Sequence, residues 1–240
     1  MTTLAGLTTT LFGASPGDQG IIQDSSYYAT ATARINAAVT VIAGGERLPD
    51  GRVSPPLPDL YSSSTIETAT DAAYKALPTT YQRHVFMVAD SSGNQLFHPS
   101  GGDYYSFGLF LRNASHKGLT QAGSISSVVV KGKKLFYQGI PSSSKTLTLH
   151  FYSKPTAMSE ATDEPDGLPE HLSENLIVHY VAKEIFSDIE DGDNSKGTGY
   201  SYHTSRFYEA LVDLVDFIGF PDAVPEYYGE GSAVDLGVCD

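Results

Sequence analysis

The stretch LPEHLSENLIVHYVAKEIFSDIEDGDNSKGTGYSYHTSRFYEALVDLVDFIG, residues 168–219, decides how the rest of the chain is read. Leu168, Leu172, Leu176, Ile177, Val181, Ala182 and Ile185 recur at helical spacing, which gathers apolar side chains on one face. Phe207, Tyr208, Leu211, Leu214, Val215 and Ile218 repeat the pattern. Between the arms, the glycines and short polar residues within 188–197 break the period and predict a loop or turn. An antiparallel pair of helices is the simplest arrangement of the two.

Upstream, Leu4, Leu7, Leu11 and Phe12 mark a short helix ending at Gly13. Asp24 or Ser25 is a candidate N-cap for a second helix of roughly 18 residues, running through Tyr27, Tyr28, Ala31, Ile35, Ala38, Val39 and Ile42 to Gly44-Gly45. Its many alanines make it slim, which suits close packing against other helices, including those of another subunit. Pro49, Pro55, Pro56 and Pro58 exclude a helix or a central strand, so residues 48–60 read as an extended linker. Residues 62–76 read as a helix, opened by Ser62-Ser63-Ser64-Thr65 and stopped by Pro78.

Beyond Pro78 the period falls from about 3.6 residues to about 2. Residues 83–89, the turn 90–94 and residues 95–98 carry a hairpin signature, and further strands are expected over 104–111, 124–130, 134–138 and 146–152. Lys131-Gly132-Lys133 predicts a second tight hairpin, and Ser142-Ser143-Ser144 a third short link. Short strands at this interval predict an antiparallel sandwich or small barrel. The expected fold is therefore α+β. A helical bundle, made of the N-terminal helix and the C-terminal antiparallel helical hairpin, carries an inserted antiparallel β-sandwich or barrel-like domain and an extended C-terminal tail. The corresponding boundaries are residues 1–48 and 156–221 for the helical domain, 49–155 for the β-rich domain and 222–240 for the tail.

Composition narrows the function. Hydrophobic residues at 40% and charged residues at 18% describe a globular chain. A net charge of −13 and the lack of a Lys/Arg cluster argue against holding a phosphate backbone. The only cysteine, Cys239, excludes an intramolecular disulfide and a cysteine-rich zinc site. Residues 1–12 lack the basic start of a signal peptide, and no run of about eighteen apolar residues occurs, so a soluble protein without a membrane partner is expected.

The search for chemistry finds little. No Gly-x-Ser-x-Gly occurs. In residues 192–198 Lys196 precedes Gly197 rather than following it, so the phosphate-loop reading fails. Asp188, Asp191, Asp193 and Asn194 lack the alternation of a calcium loop and read as a solvated turn. His171, Asn175 and His179 fall near one helical face, without the pairing that a transition metal needs. No catalytic, cofactor or metal residue is assigned. Tyr104-Tyr105 reads as strand packing or an interface anchor, and Tyr227-Tyr228, in a proline-flanked tail, as an interface. The tail also carries Val224, Val234, Leu236 and Val238 among five acidic positions, and these apolar side chains need a partner surface to bury them.

Three passages in this order resemble the head-to-tail adaptor (connector) proteins of tailed bacteriophages. The first is Thr32-Ala33-Arg34-Ile35-Asn36-Ala37-Ala38. The second is the β segment with Tyr81-Gln82-Arg83, residues 128–137 and the exit at residues 147–156. The third is the hairpin from Leu168-Pro169-Glu170 through Val178-His179-Tyr180 to Phe207-Tyr208-Glu209. The resemblance implies a structural virion protein, not an enzyme, that forms a ring of commonly twelve copies between the portal and a tail tube or nozzle protein. It also implies that a terminal segment docks on the portal, which would use Val224, Tyr227, Tyr228, Val234, Leu236 and Val238. DNA would pass a channel whose carboxylates give it no counterion-releasing contact. Two other classes compete: a carbohydrate- or receptor-binding virion module stacking its ligand on Tyr104, Tyr105 and Phe107, and a hydrolase in which His171 or His179 would matter.

Overall fold

The computed structural model describes residues 2–15, 20–96, 103–113, 119–190 and 198–219, with 103–106 and 113 described by backbone alone. In chain order these form α1 (Leu4–Phe12), α2 (Ala31–Gly44), β1 (Tyr61–Glu67), β2 (Tyr74–Ala76), β3 (Tyr81–Ala89) and α3 (Asp103–Asn113). Then follow β4 (Ser127–Lys131), β5 (Lys134–Gln138), β6 (Thr146–Ser153), α4 (Glu170–Glu190) and α5 (Thr198–Ile218). The architecture is α+β.

The Thr3 hydroxyl caps α1 by accepting the Gly6 N–H at 3.2 Å. Two further first-turn donors, the N–H groups of Leu4 and Ala5, reach the carbonyls of Asp163 and Ala161 at 2.8 and 3.0 Å, which fastens α1 to the segment returning from β6. The second helix is shorter than its pattern predicts. Residues Ser25–Thr30 wind as a 3₁₀ turn, with Asp24 accepting the Ser26 N–H at 2.9 Å and the Thr30 hydroxyl bonding the Tyr27 carbonyl. Short polar side chains compete there with the helical backbone bonds, and the regular helix starts at Ala31.

Asn36 on α2 holds the same returning segment. Its side-chain amide donates to the Met158 carbonyl at 2.9 Å, and its side-chain oxygen accepts the Met158 N–H at 2.8 Å. Asn36→Ala is expected to cost about 1–3 kcal/mol, because both partly buried backbone groups lose their partner; a urea midpoint unchanged from wild type would contradict this.

One apolar cluster joins α1, α2, α4 and α5, with Leu7, Leu11, Ile35, Ile42, Leu176, Ile177, Val181, Phe207 and Leu211 fully or almost fully buried. The proline-rich stretch is more than a linker: Leu48, Leu57 and Leu60 insert into this cluster, and Pro58–Leu60 is a 3₁₀ turn. A second cluster takes Val85, Val88, Val128, Leu135, Tyr137, Leu147, Leu149 and Phe151 from two three-stranded antiparallel sheets. One sheet has the order β1-β6-β3 and the other β2-β5-β4. Each keeps two edge strands, so the barrel alternative is not realised.

Two element assignments change. Residues expected as a helix over 62–76 are β1 and β2, because β1 runs antiparallel along β6, from Tyr61 opposite Tyr152 to Glu67 opposite Thr146. The strand expected over 104–111 is instead the helix α3, whose Phe107 and Phe110 stack one turn apart at 6.0 Å. The turn over 90–94 forms as expected, with Asp90 accepting the N–H groups of Ser92 and Asn94 at 2.8 and 2.9 Å. Of its far arm, residues 97 and 98 lie outside the described residues, and among the described ones Gln95 bridges to Ala89, while the main partner of β3 is β6. The tight turn between β4 and β5 forms as predicted, with Gly132 at φ 59°.

Candidate functional site

Candidate surfaces and polar clusters lie between elements and on their outer faces. In the hairpin, His179 of α4 and His203 of α5 bring their Nδ1 atoms to 2.9 Å, so one imidazole donates to the other. His203 is buried and stacks on Phe186 at 5.3 Å, and Tyr202 meets it edge-on. Burial lowers both histidine pKa values. Arg206 adds to this at His179 against the opposing carboxylate of Glu209, and His179 adds to it at His203 against Glu190.

Depressed folded-state values mean that the neutral pair is favoured in the native state. The pair's contribution to stability is thus present above the ordinary histidine pKa of about 6.5 and is lost as pH falls through the depressed folded values. The melting temperature is expected to fall between pH 7.5 and pH 5, and His179→Gln with His203→Phe to flatten that part of the profile; an equally steep profile in the double variant would refute the assignment.

The other end of the hairpin carries an open cleft of about 440 Å³ lined by Thr2, Glu170, His171, Glu174 and Asn175. His171 meets the exposed ring of Phe217 edge-on at 5.0 Å. His171 and His179, near one face by spacing, therefore engage different neighbours. Asp188 forms an ion pair with Arg34 of α2 at 3.2 Å, while Asp191, Asp193 and Asn194 lie outside the described residues. Glu190 closes the hairpin by accepting the N–H groups of Gly199 and Tyr200 at the start of α5. Lys183 is buried with its ammonium 4.4 Å from the Tyr180 ring centre and 4.5 Å from that of Phe207. Among the described residues, no three His, Cys, Asp or Glu side chains are grouped to hold a metal ion, and no helix is long and apolar enough to cross a membrane.

The sheet surfaces carry features that sequence spacing could not show. The register of β3 against β6 shifts between Arg83 and Met87, where His84 takes φ 50°. Phe86, 47% exposed, then lies beside Tyr61, His150 and Tyr152, with ring centres 5.6–6.2 Å away. The Tyr61 hydroxyl and His150 Nδ1 are 2.7 Å apart. Next to this irregularity Arg83 reaches from the sheet to the helical part, donating from Nη2 to the Ser54 carbonyl at 3.0 Å. Among the described residues its buried Nη1 has no hydrogen-bond partner, and burial lowers the guanidinium pKa.

On the second sheet Phe107 meets Phe136 edge-on at 5.1 Å, and Tyr74 lies 5.6 Å from the same ring. The ammonium groups of Lys131 and Lys134 sit 4.2 Å over the rings of Phe107 and Tyr74 respectively. Lys131, Lys133 and Lys134 are all exposed, so the acidic chain does carry a local basic cluster. The side chains of Tyr104 and Tyr105 fall outside the described residues, as do Val224, Tyr227, Tyr228, Val234, Leu236 and Val238.

These features define an α+β protein whose polar and aromatic clusters occupy outer surfaces and the seams between elements. The chain belongs to the SU10 adaptor protein family, a family of phage head-to-tail adaptors whose model matches residues 10–224. No curated protein matches it.

Proposed function

We propose that this protein is a structural virion component that forms a ring, of twelve copies, between the portal and a tail tube or nozzle protein, and that the ring continues the DNA channel without binding DNA specifically. The family match across residues 10–224 carries this reading. The exposed rings of Tyr200, Tyr202 and Phe217 on α5 support it, because exposed aromatic side chains suit contact between subunits. Assembly takes place in the host cytoplasm, and the protein acts without catalysis at the head–tail junction.

In this reading residues 1–48 and 156–221 form the connector body and 49–155 the inserted module, which lends Leu57 and Leu60 to the helical cluster. The tail docks on the portal through Val224, Tyr227, Tyr228, Val234, Leu236 and Val238. Electron microscopy of the purified chain mixed with portal rings is expected to show ring-shaped particles stacked on the portal. A chain that stayed monomeric and unbound would overturn the adaptor reading. Deletion of residues 222–240 is expected to abolish portal binding, and unchanged binding would end the tail-docking proposal alone.

A further inference from the structure

Charge is distributed unevenly along the chain. Residues 61–153 contain eight Lys/Arg and four Asp/Glu, a net charge of +4, so the rest of the chain carries −17. The positive side has a local focus at the β4–β5 turn, where Lys131 and Lys134 are direct cross-strand partners and Lys133 lies between them. Like charges directly opposite on an antiparallel pair are destabilising. Among the described residues no carboxylate forms an ion pair with any of the three. The ammonium groups of Lys131 and Lys134 sit over the rings of Phe107 and of Tyr74, the latter itself 42% exposed, giving an aromatic bed under a cationic rim.

The negative part has a matching end. Near the C-terminus of α5, Asp213, Asp216 and Phe217 are exposed, Phe217 at 62%, and the last turn holds no basic residue. Peptide dipoles place partial negative charge at that helix end, so carboxylates there are electrostatically unfavourable. Arg206 is engaged with Glu209 at 2.8 Å, and among the described residues no cation pairs with Asp213 or Asp216. Each surface thus concentrates one sign of charge, places an exposed aromatic ring beside it, and would be relieved by the other.

We propose that Lys131, Lys133 and Lys134, with Tyr74 and Phe107 beneath them, dock on the Asp213–Asp216–Phe217 end of the helical hairpin of a second copy of this chain. The two surfaces are different, so the contact is head-to-tail, and repetition of such a contact closes into a ring when its rotation allows. This rests on the ring reading above and adds the pairing of faces to it. A nucleic acid is the other polyanion that three lysines could meet. The acidic helix end with its exposed Phe217 is the better complement, because it presents an aromatic ring together with carboxylates that lack a cation.

The test uses the full chain with portal rings, with ring assembly read by electron microscopy and native mass spectrometry. Lys131→Glu with Lys133→Glu and Lys134→Glu is expected to weaken self-association at least about tenfold, as is Asp213→Lys with Asp216→Lys, and combining the two sets to restore it. The milder Lys131→Gln, Lys133→Gln and Lys134→Gln set is expected to weaken assembly and reduce its sensitivity to salt. Thermal melts identify any variant that fails to fold, and the glutamine set then decides the outcome. Assembly of both reversed sets at the wild-type level overturns the proposal, as does failure of the folded combined variant to recover. If the lysine variants assemble normally and instead lose retention of a double-stranded DNA fragment, the occupant is DNA and the proposal is wrong. Absence of rings in the wild-type chain with portal present would instead remove the adaptor reading itself.

Discussion

Phe207→Ala is expected to lower the unfolding free energy by about 3–5 kcal/mol, a large share of the roughly 5–15 kcal/mol that holds a typical domain together. Phe207 is fully buried in the helical cluster, with its ring centre 5.3 Å from that of Tyr180 and 5.6 Å from that of Tyr208. Truncation opens a cavity between α4 and α5 and takes from the Lys183 ammonium one of the two rings that it lies within 4.5 Å of. Urea denaturation followed by circular dichroism measures the loss. Phe217→Ala is the control, since its ring is 62% exposed and its removal is expected to change stability by less than about 0.5 kcal/mol. Equal effects of the two substitutions would show that the hairpin is not packed through Phe207.

Gly139→Ala is expected to cost about 3 kcal/mol, combining a left-handed backbone penalty of about 1–2 kcal/mol with overpacking. Gly139 has φ 77°, and a methyl group there would overlap the Ser124 carbonyl. Backbone fills that space because residues 121–126 run alongside 138–140, joined by Gly123 N–H to Ile140 O, Ile140 N–H to Gln121 O and Ser126 N–H to Gln138 O. Gly132→Ala separates the two contributions. Gly132 also has positive φ, at 59°, but its missing side chain faces open space, so only the conformational part, about 1–2 kcal/mol, is expected. Melting temperatures of the two variants should differ by the steric part, and identical values would contradict the close approach at Ser124.

The helical hairpin was legible because its two arms each repeat apolar residues over several turns, and such a pattern has few alternative readings. The helix α3 was not, since Tyr104, Tyr105, Phe107 and Phe110 favour strands by composition while their three-residue spacing fits a helix equally well. In β1 burial alternates along the strand, but two of its three inward positions are serines, Ser62 and Ser64, and only Ile66 is apolar, so the sequence carries little hydrophobic alternation and the strand character comes from pairing with the distant β6. His179 and His203 are 24 positions apart on separate helices, beyond the reach of any spacing rule. The lysines at 131, 133 and 134 were visible in the sequence, but a net charge summed over the whole chain conceals a local reversal of sign. The paired-sheet core needed three dimensions, whereas the family resemblance rested on the order of passages and was found without them.

The helical cluster joins α1 and α2 to α4 and α5, although 125 residues separate Gly44 from Glu170. During synthesis at about 5–20 residues per second, the apolar faces of the first two helices therefore wait about 6–25 s before even the first residue of α4 follows them. All six strands lie between α2 and α4 in the chain, so the sheets are able to pair once Ser153 has emerged, before α4 and α5 have left the ribosome. The order of synthesis makes the β segment the first unit able to close. It leaves the amino-terminal helices as the part of the nascent chain most exposed to chaperones and to aggregation.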